Sequence, residues 1–274
     1  MPEYRCLRRQ SAAVSVLLTS VLMWVLKAGT VTDDDLVFER WRERRSAEGR
    51  RVGLLELYAM VAESRGLDSS DLSQVERYEL TAKSQPVFWP GFEQVLPFRS
   101  DGAVEVVPYD PSWKTTFDNL KNRLAGELGN LEARIEHIGS TAIVGLTAKP
   151  IVDILLSVID LANEEKYRSA CESLGFDLYT RDDAHRFFAI PSPRPRTAQI
   201  HVCQFGSSFE REHLLFRDFL IASADARNRY LAAKQRASQE WAHDRIGYTY
   251  AKNSTIVDLL DEAELWVVST KWTP

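Results

Sequence analysis

The residues whose types and spacing could support chemistry are concentrated in one segment, HIGSTAIVGLTAKPIVDILLSV, which extends from His137 to Val158. A predicted strand at the start of this segment leads into the turn Gly139-Ser140. Such a turn lets backbone amides and the Ser140 hydroxyl approach phosphate oxygens closely, because glycine has no side chain to obstruct them. The turn is therefore predicted to bind phosphate.

Asp153 is the second candidate in this segment, because it stands in the next predicted strand among aliphatic residues. Side chains alternate along a strand, so Ile151, Asp153 and Leu155 share one face. A carboxylate on an apolar strand costs free energy unless it is paired or binds a cation, and we favour ligation of Mg²⁺. Pairing with a nearby Lys149 or Arg186 is the alternative.

These residues occur in a pattern that resembles a known family. The Gly139-Ser140 turn followed at this distance by Asp153 resembles the signature of the DNA polymerase β-like nucleotidyltransferases, and EHIGSTAIVGLTAKPIVDI is similar to the GrpB-like family in particular. Further segments fit that family in the same order: VVPYDPSW (Val106 to Trp113), QIHV (Gln199 to Val202), EREHLLFRDFL (Glu210 to Leu220), and Arg245, Tyr248 and Lys252. The resemblance extends over about residues 104–265.

The resemblance implies a nucleotidyltransferase-like fold, an α/β mixed sheet flanked by helices. It also implies an enzyme that binds a nucleoside triphosphate such as ATP together with Mg²⁺. Such an enzyme would transfer a nucleotidyl group to a small-molecule acceptor, or adenylate the acceptor for ligation. In this interpretation Gly139 and Ser140 bind phosphate, and Asp153 is a catalytic residue that binds Mg²⁺.

Two positions depart from the superfamily pattern. A typical member would carry a second acid two residues after the first, on the same strand face, whereas this chain has Leu155. In place of a third acid, the QIHV strand offers His201, with Gln199 on the same face. Neutral imidazole can bind a metal or act as a base, so His201 is predicted to be a catalytic and metal-binding residue; a histidine satisfied within the core is the alternative.

Leu155 also supports a second hypothesis for function. Without paired carboxylates, the nucleotide pocket could belong to a noncatalytic module that recognises a metabolite or supports another protein. The resemblance adds that GrpB-like domains occur fused to dephospho-coenzyme A kinase. This chain contains no kinase phosphate-binding loop of the GxxxxGK type.

Basic and phenolic residues recur with one spacing near the C terminus. Two trios, each at positions i, i+3 and i+7 of a helical face, are Arg227, Tyr230 and Lys234, and then Arg245, Tyr248 and Lys252. The residues predicted to bind the triphosphate are Lys149, Lys234, Arg245, Tyr248 and Lys252. Arg186 is predicted to orient the acceptor, since arginine can bind an anion through two hydrogen bonds. A solvated face with packed tyrosines is the alternative, above all for the first trio.

Composition narrows the class of protein. The 274 residues are 45% hydrophobic and 27% charged with a net charge of -5, which argues against broad nucleic-acid binding because no basic surface replaces phosphate counterions. Three cysteines without a CxxC pair predict free thiols in a reducing cytoplasm. The apolar segment from Ala12 to Leu26 is shorter than the ~20 residues needed to cross a bilayer, so it is predicted to be a buried helix rather than a membrane span.

Two domains are expected to position these residues. A mainly helical N-terminal domain is predicted over 1–100, with helices at 33–45 and 53–65 and an aromatic, proline-rich linker at 85–101. Its apolar helices could form a homo-oligomer. The second domain, 102–274, is predicted to contain strands at 104–107, 133–138, 151–158, 186–190 and 199–205, and helices starting at Asp110-Pro111, Glu164 and Ser207.

Overall fold

The structure, a computed structural model, describes residues 40, 60, 62–68, 92–97, 103–191, 193–243 and 245–274. The apolar segment at 12–26, most of the predicted helices at 33–45 and 53–65, and most of the linker lie outside these residues. Gly66 lies within them. Its φ of 70° and the hydrogen bond from Leu67 N to Ala62 O at 3.0 Å end a helical segment there, in agreement with the end of the helix predicted at 53–65. Self-association through the N-terminal helices stays a prediction.

Within the described residues, six strands form one mixed sheet in the order β1-β4-β5-β6-β3-β2. They are β1 (Glu93–Gln94), β2 (Ala133–Ile138), β3 (Val152–Val158), β4 (Asp177–Arg181), β5 (His185–Ala189) and β6 (Ala198–Gln204). Strands β3 and β6 are parallel, and the other neighbouring pairs are antiparallel. With helices on both faces, the sheet confirms the predicted α/β class.

Helices cover both faces of the sheet. Those described beyond residue 103 are α1 (Ser112–Leu128), α2 (Glu165–Ser173), α3 (Ser208–Ala222), α4 (Ala224–Glu240), α5 (Arg245–Ala251) and α6 (Asn253–Thr270). Helix α1 begins where Asp110 Oδ1 accepts a hydrogen bond from Ser112 N at 2.8 Å, which confirms the predicted Asp-Pro start. Among the described residues, no helix is both long and apolar enough to span a membrane.

Side chains alternate along β3 and β6, so successive residues pack on opposite faces of the sheet. Ile154 and Ile200 are fully buried and pack with Phe117 of α1 and Tyr167 of α2. Burying each aliphatic side chain contributes about 1.5–3 kcal/mol. The neighbouring residues along each strand point to the opposite face of the sheet. On that face Leu155 packs against α3. Helices α4 and α6 in turn pack against α3, and α5 packs on α4.

Most of the predicted elements are confirmed, and the exceptions have physical causes. The predicted strand at 104–107 is wrong, because only Val107 pairs, in an isolated bridge with Ala148. Strand β4 was not predicted. A register shift between Leu178 and Thr180 buries consecutive side chains there and removes the alternation that marks a strand.

Candidate functional site

The Gly139-Ser140 turn lies directly against the carboxylate of Asp153. Gly139 follows β2 with a φ of 69°, and Ser140 begins a short 3-10 helix, Ser140–Ala142. A Cβ atom built on Gly139 would overlap Asp153 Oδ2. Position 139 therefore requires glycine for two reasons, its backbone conformation and the close approach of Asp153.

A hydrogen-bonded chain on the far side of β2 fixes this turn. Thr141 Oγ1 donates to Ile151 O at 3.2 Å and lies 3.0 Å from His137 Nε2. Burial lowers the pKa of His137 to about 4, so the imidazole is neutral at pH 7 and can donate from Nε2 to Thr141. The His137 ring stacks on Phe117 with centroids 4.7 Å apart. The turn is thus tied to both β3 and α1.

Arg217 of α3 holds the same turn from the opposite face. Its Nη1 donates to His137 O at 3.1 Å and to Glu136 Oε2 at 2.7 Å. Its Nε donates to Asp218 Oδ1 at 2.7 Å. The link from Arg217 to β2 is a contact that sequence reasoning missed.

Asp153 is ionised and already engaged. Gln199 Nε2 donates to its Oδ1, and His201 Nε2 lies 3.7 Å from the same oxygen. Burial opposes ionisation, but His201, Gln199 and the charge of Lys149 together hold the pKa of the carboxyl below its usual value. The side chain is 22% exposed, so this carboxylate still meets solvent or a ligand.

His201 is held in place by a cluster of aromatic rings. His185 Nε2 lies 3.0 Å from His201 Nδ1, and His185 stacks on Phe209 with centroids 4.6 Å apart. Phe209 stacks in turn on His213. Burial lowers the pKa of His213 to about 4 and holds that of His185 well below its ordinary value, so both rings are neutral at pH 7. His201 Nε2 therefore points to Asp153 from a fixed ring.

The strand position that would carry a second acid is part of the apolar core. Leu155 is fully buried and packs with Ile138, Cys203 and Leu214. A carboxylate there would face aliphatic side chains rather than Asp153's solvent-exposed edge. The departure from the superfamily pattern is thus built into the packing of α3 on the sheet.

Lysines from three parts of the chain interact electrostatically with the Asp153 carboxylate. Lys149 and Lys252 lie 4.9 and 4.1 Å from the Tyr248 ring centroid. Lys234 donates to Thr147 O, two residues before Lys149, and is 1% exposed. All three interact electrostatically with Asp153. We call the group Gly139, Ser140, Lys149, Asp153, Gln199, His201, Lys234 and Lys252 the Asp153 site.

The pKa values of all three lysines are lowered. Burial lowers the pKa of Lys234 to about 7, helped by Lys149 and opposed by Asp153. Burial likewise lowers the pKa of Lys149 and holds that of Lys252 well below its ordinary value, with Arg245 among the repelling charges. A bound anion would favour protonation of these amino groups, so the electrostatics of the site suit an anionic ligand.

The structure separates the two predicted trios into different helices. Arg227 donates to Leu220 O at 2.9 Å and Ile221 O at 3.2 Å, so it caps α3 and lies outside the site. Tyr230 interacts with the Ser140 side chain. Helix α4 ends at Glu240 and α5 begins at Arg245, so tertiary packing rather than one continuous helix brings the trios together.

The structure does not bring Arg186 to Asp153. Arg186 pairs with Val202 in the β5–β6 register, on the face covered by α1 and α2, whereas Phe187 pairs with His201. Its Nε donates to Glu164 Oε1 at 2.5 Å, and its Nη1 donates to Asp182 O. The residues that interact with Asp153 include Lys149 and Gln199 but not Arg186.

The residues present fit one divalent cation better than two. Among the described residues, no three His, Cys, Asp or Glu side chains converge as a metal site. Asp153 Oδ1 and His201 Nε2 do converge, at 3.7 Å, and a triphosphate could supply further oxygens, as is usual for Mg²⁺ sites of this kind. The buried Leu155 leaves no carboxylate for a second ion in the usual place.

Comparisons with known proteins identify a family and several relatives. A family model described as GrpB protein matches residues 103–262. A UPF0157 protein of Streptomyces coelicolor is 37% identical over 155 residues, which cover 57% of this chain and 81% of that protein. A dephospho-CoA kinase of Mycolicibacterium paratuberculosis is 28% identical over 230 residues, covering 72% of this chain and 56% of the kinase. The crystal structure of conserved protein GrpB from Enterococcus faecalis matches with a TM-score of 0.53 and 26% identity, covering 59% of this chain and 99% of that chain.

Proposed function

This chain belongs to the GrpB protein family, and we propose that its Asp153 site binds the phosphates of a nucleoside triphosphate such as ATP. The reaction we propose is transfer of the nucleotidyl group to a small-molecule acceptor, or adenylation of the acceptor for ligation. Phosphate oxygens would meet the Gly139-Ser140 turn and the lysines. Arg245 would add positive charge at the side of Lys252.

One observation supports this proposal above the others, the gathering of three lysine amino groups near one carboxylate. Lys149, Lys234 and Lys252 all have lowered pKa values beside a single carboxylate. Burial opposes protonation of these amino groups, and a bound polyanionic ligand would favour their protonated, charged form. A triphosphate carries the several negative charges that such a site would balance, and a neutral metabolite does not.

The proposed transfer balances as a displacement at phosphorus. An acceptor oxygen attacks the α-phosphorus, the bond to the bridging oxygen of the β-phosphate breaks, and diphosphate leaves with the electron pair. If the acceptor is a hydroxyl, its proton passes to solvent; a carboxylate acceptor has none to lose. Asp153 and His201 would hold the divalent cation, Mg²⁺ in the first instance, which would offset charge on the phosphoryl oxygens.

Calorimetry with a nonhydrolysable ATP analogue and Mg²⁺ tests the binding, and diphosphate release from ATP tests the transfer. We expect the wild-type protein to bind the analogue and Asp153→Asn to release at least about tenfold less diphosphate. Asp160→Asn, the same change at an exposed position, is the matched control. The proposal fails if the wild-type protein binds no nucleotide and Asp153→Asn alters no activity.

The buried Leu155 favours a second candidate, a noncatalytic binding module. A site with one strand carboxylate and three lysines can hold an anionic metabolite without performing transfer. In that case calorimetry would detect binding of a phosphorylated metabolite in the presence of EDTA, and ATP would yield no diphosphate. Metal-dependent analogue binding together with diphosphate release would instead reject the module.

A further inference from the structure

We infer that Gln199 is a third ligand for a single cation at the Asp153 site, and that this ligand set prefers a transition-metal ion such as Mn²⁺ to Mg²⁺. The inference rests on the proposed function, because it specifies the cation of the same site. Three side-chain ends meet there. Gln199 Nε2 donates to Asp153 Oδ1 and lies 3.5 Å from His201 Nε2, which is itself 3.7 Å from Asp153 Oδ1.

Strand pairing brings the side chains of Asp153, Gln199 and His201 together in a triangle. Strands β3 and β6 are parallel, and their register places Asp153 beside Gln199 and Leu155 beside His201. Paired residues point to the same face, so the carboxylate and the amide lie side by side. His201 is two residues further along β6 and on the same face. Donor atoms spaced about 3 Å apart are what one ion with bonds near 2.1 Å would require.

The amide of Gln199 can present either end to this triangle. Its Oε1 is buried without a hydrogen-bond partner, while its Nε2 donates to Asp153. The two ends have nearly the same shape, and rotation by half a turn exchanges them. With a cation in place, the rotated amide would offer Oε1 as a ligand, beside Asp153 Oδ1 and His201 Nε2.

The donor types explain the expected preference. Mg²⁺ prefers oxygen ligands in a regular octahedron, whereas first-row transition-metal ions accept an imidazole nitrogen more readily than Mg²⁺ does, with Mn²⁺ the weakest binder of that series. His185 holds His201 Nδ1 at 3.0 Å, which leaves Nε2 directed at the triangle. The surrounding lysines repel a bare cation, so we expect binding to tighten when phosphate oxygens are also present.

Loss of the free Mn²⁺ electron paramagnetic resonance signal measures this binding, with and without the ATP analogue. In the wild-type protein, Mg²⁺ should displace Mn²⁺ only in large excess. Gln199→Ala should weaken Mn²⁺ binding about 10–100-fold, and Gln199→Glu, which adds a carboxylate of the same length, should restore or tighten it. Gln235→Glu, at an exposed position of α4, is the matched control. Thermal unfolding confirms that each variant is folded.

The possible failures are distinguishable. Absence of Mn²⁺ binding up to millimolar concentration, alone and with the analogue, overturns the inference, as does equal affinity in all Gln199 variants. Displacement of Mn²⁺ by equimolar Mg²⁺ overturns the stated preference. If the Gln199 variants change Mn²⁺ affinity but calorimetry detects no nucleotide binding, the ligand assignment stands and the proposed function falls.

Discussion

The two faces of the sheet use the same strands for opposite purposes. On the face covered by α1 and α2, two buried polar side chains have partners within the protein: Tyr167 donates to Leu161 O at 2.7 Å, and Arg186 pairs with Glu164. On the other face, Lys234 is 1% exposed and contacts the Thr147 carbonyl and the Tyr230 ring. One face is complete as folded, whereas the other holds charge that a ligand would balance.

The difference between the two faces indicates that the protein is less stable at the Asp153 site than a fully paired arrangement would make it. Burying ammonium groups with one carboxylate lowers the free energy of unfolding, and such costs are typical of functional sites. Substitutions on the α1–α2 face should therefore change stability alone. Those at the Asp153 site should change binding, and some should raise stability.

The largest expected effect would come from forcing a second acid into the Asp153 face. Leu155→Asp places a carboxylate among Ile138, Cys203 and Leu214. Because these neighbours cannot solvate it, we expect the free energy of unfolding to fall by about 4 kcal/mol at pH 7. Urea denaturation measures the loss, and Leu155→Met, which keeps the volume, should cost less than about 1.5 kcal/mol. A stable Leu155→Asp protein with raised activity would contradict this.

Removing the most deeply buried ammonium group should stabilise the protein. For Lys234→Met we expect a gain on the order of 3 kcal/mol at pH 7, together with at least about tenfold weaker binding of the ATP analogue. The pKa of Lys234 is about 7 in the folded protein against 10.5 ordinarily, so folding releases its proton. Wild-type stability should therefore rise with pH between these values, and the advantage of the variant should shrink over that window.

Denaturation at pH 7 and pH 10 checks the sign of this effect. Lys271→Met, at an exposed position with a positive φ near the C terminus, provides a control that removes the same charge from the surface. An advantage of Lys234→Met that is equal at both pH values would show that burial of charge is not its cause.

Gly139→Ala should cost about 2 kcal/mol and abolish binding of the analogue. The added Cβ overlaps Asp153 Oδ2, and a φ of 69° disfavours alanine. Gly129→Ala is the matched control, because Gly129 also has a positive φ, 59°, but nothing lies within 4 Å of its Cβ position. It should lose about 1 kcal/mol and keep full affinity. Equal losses in both variants would mean that contact with Asp153 adds nothing.

The smallest effect is expected from the completed face. Arg186→Gln removes one of two partners of Glu164, because Arg181 Nη1 also pairs with this carboxylate at 3.0 Å, so we expect a loss of about 1 kcal/mol in the free energy of unfolding. Affinity for the analogue should not change, because the side chain lies on the opposite face from Asp153. Calorimetry that finds a clear loss of affinity would restore the sequence-based role of Arg186 at the acceptor.

Several features of the site followed from local sequence. A glycine before serine at a strand end and one acid on an aliphatic strand placed Gly139, Ser140 and Asp153 correctly at one turn and one strand face. The bond between Gln199 and Asp153 could not be predicted, because nothing in the sequence states that β6 is the parallel neighbour of β3. Strand β4 was not predicted, because its bulge removes the alternation of side chains that marks a strand.

By itself, the sequence determined the α/β class of the domain, the turn at Gly139 and the absence of a second acid at position 155. These features follow from strand alternation and glycine conformation, which are properties of neighbouring residues. Only the tertiary structure decided that Lys149, Lys234 and Lys252 meet around Asp153 and that Arg186 does not. Those positions are far apart in the chain or separated by turns. Their meeting depends on sheet order and on the docking of α4 and α5, which long-range packing fixes.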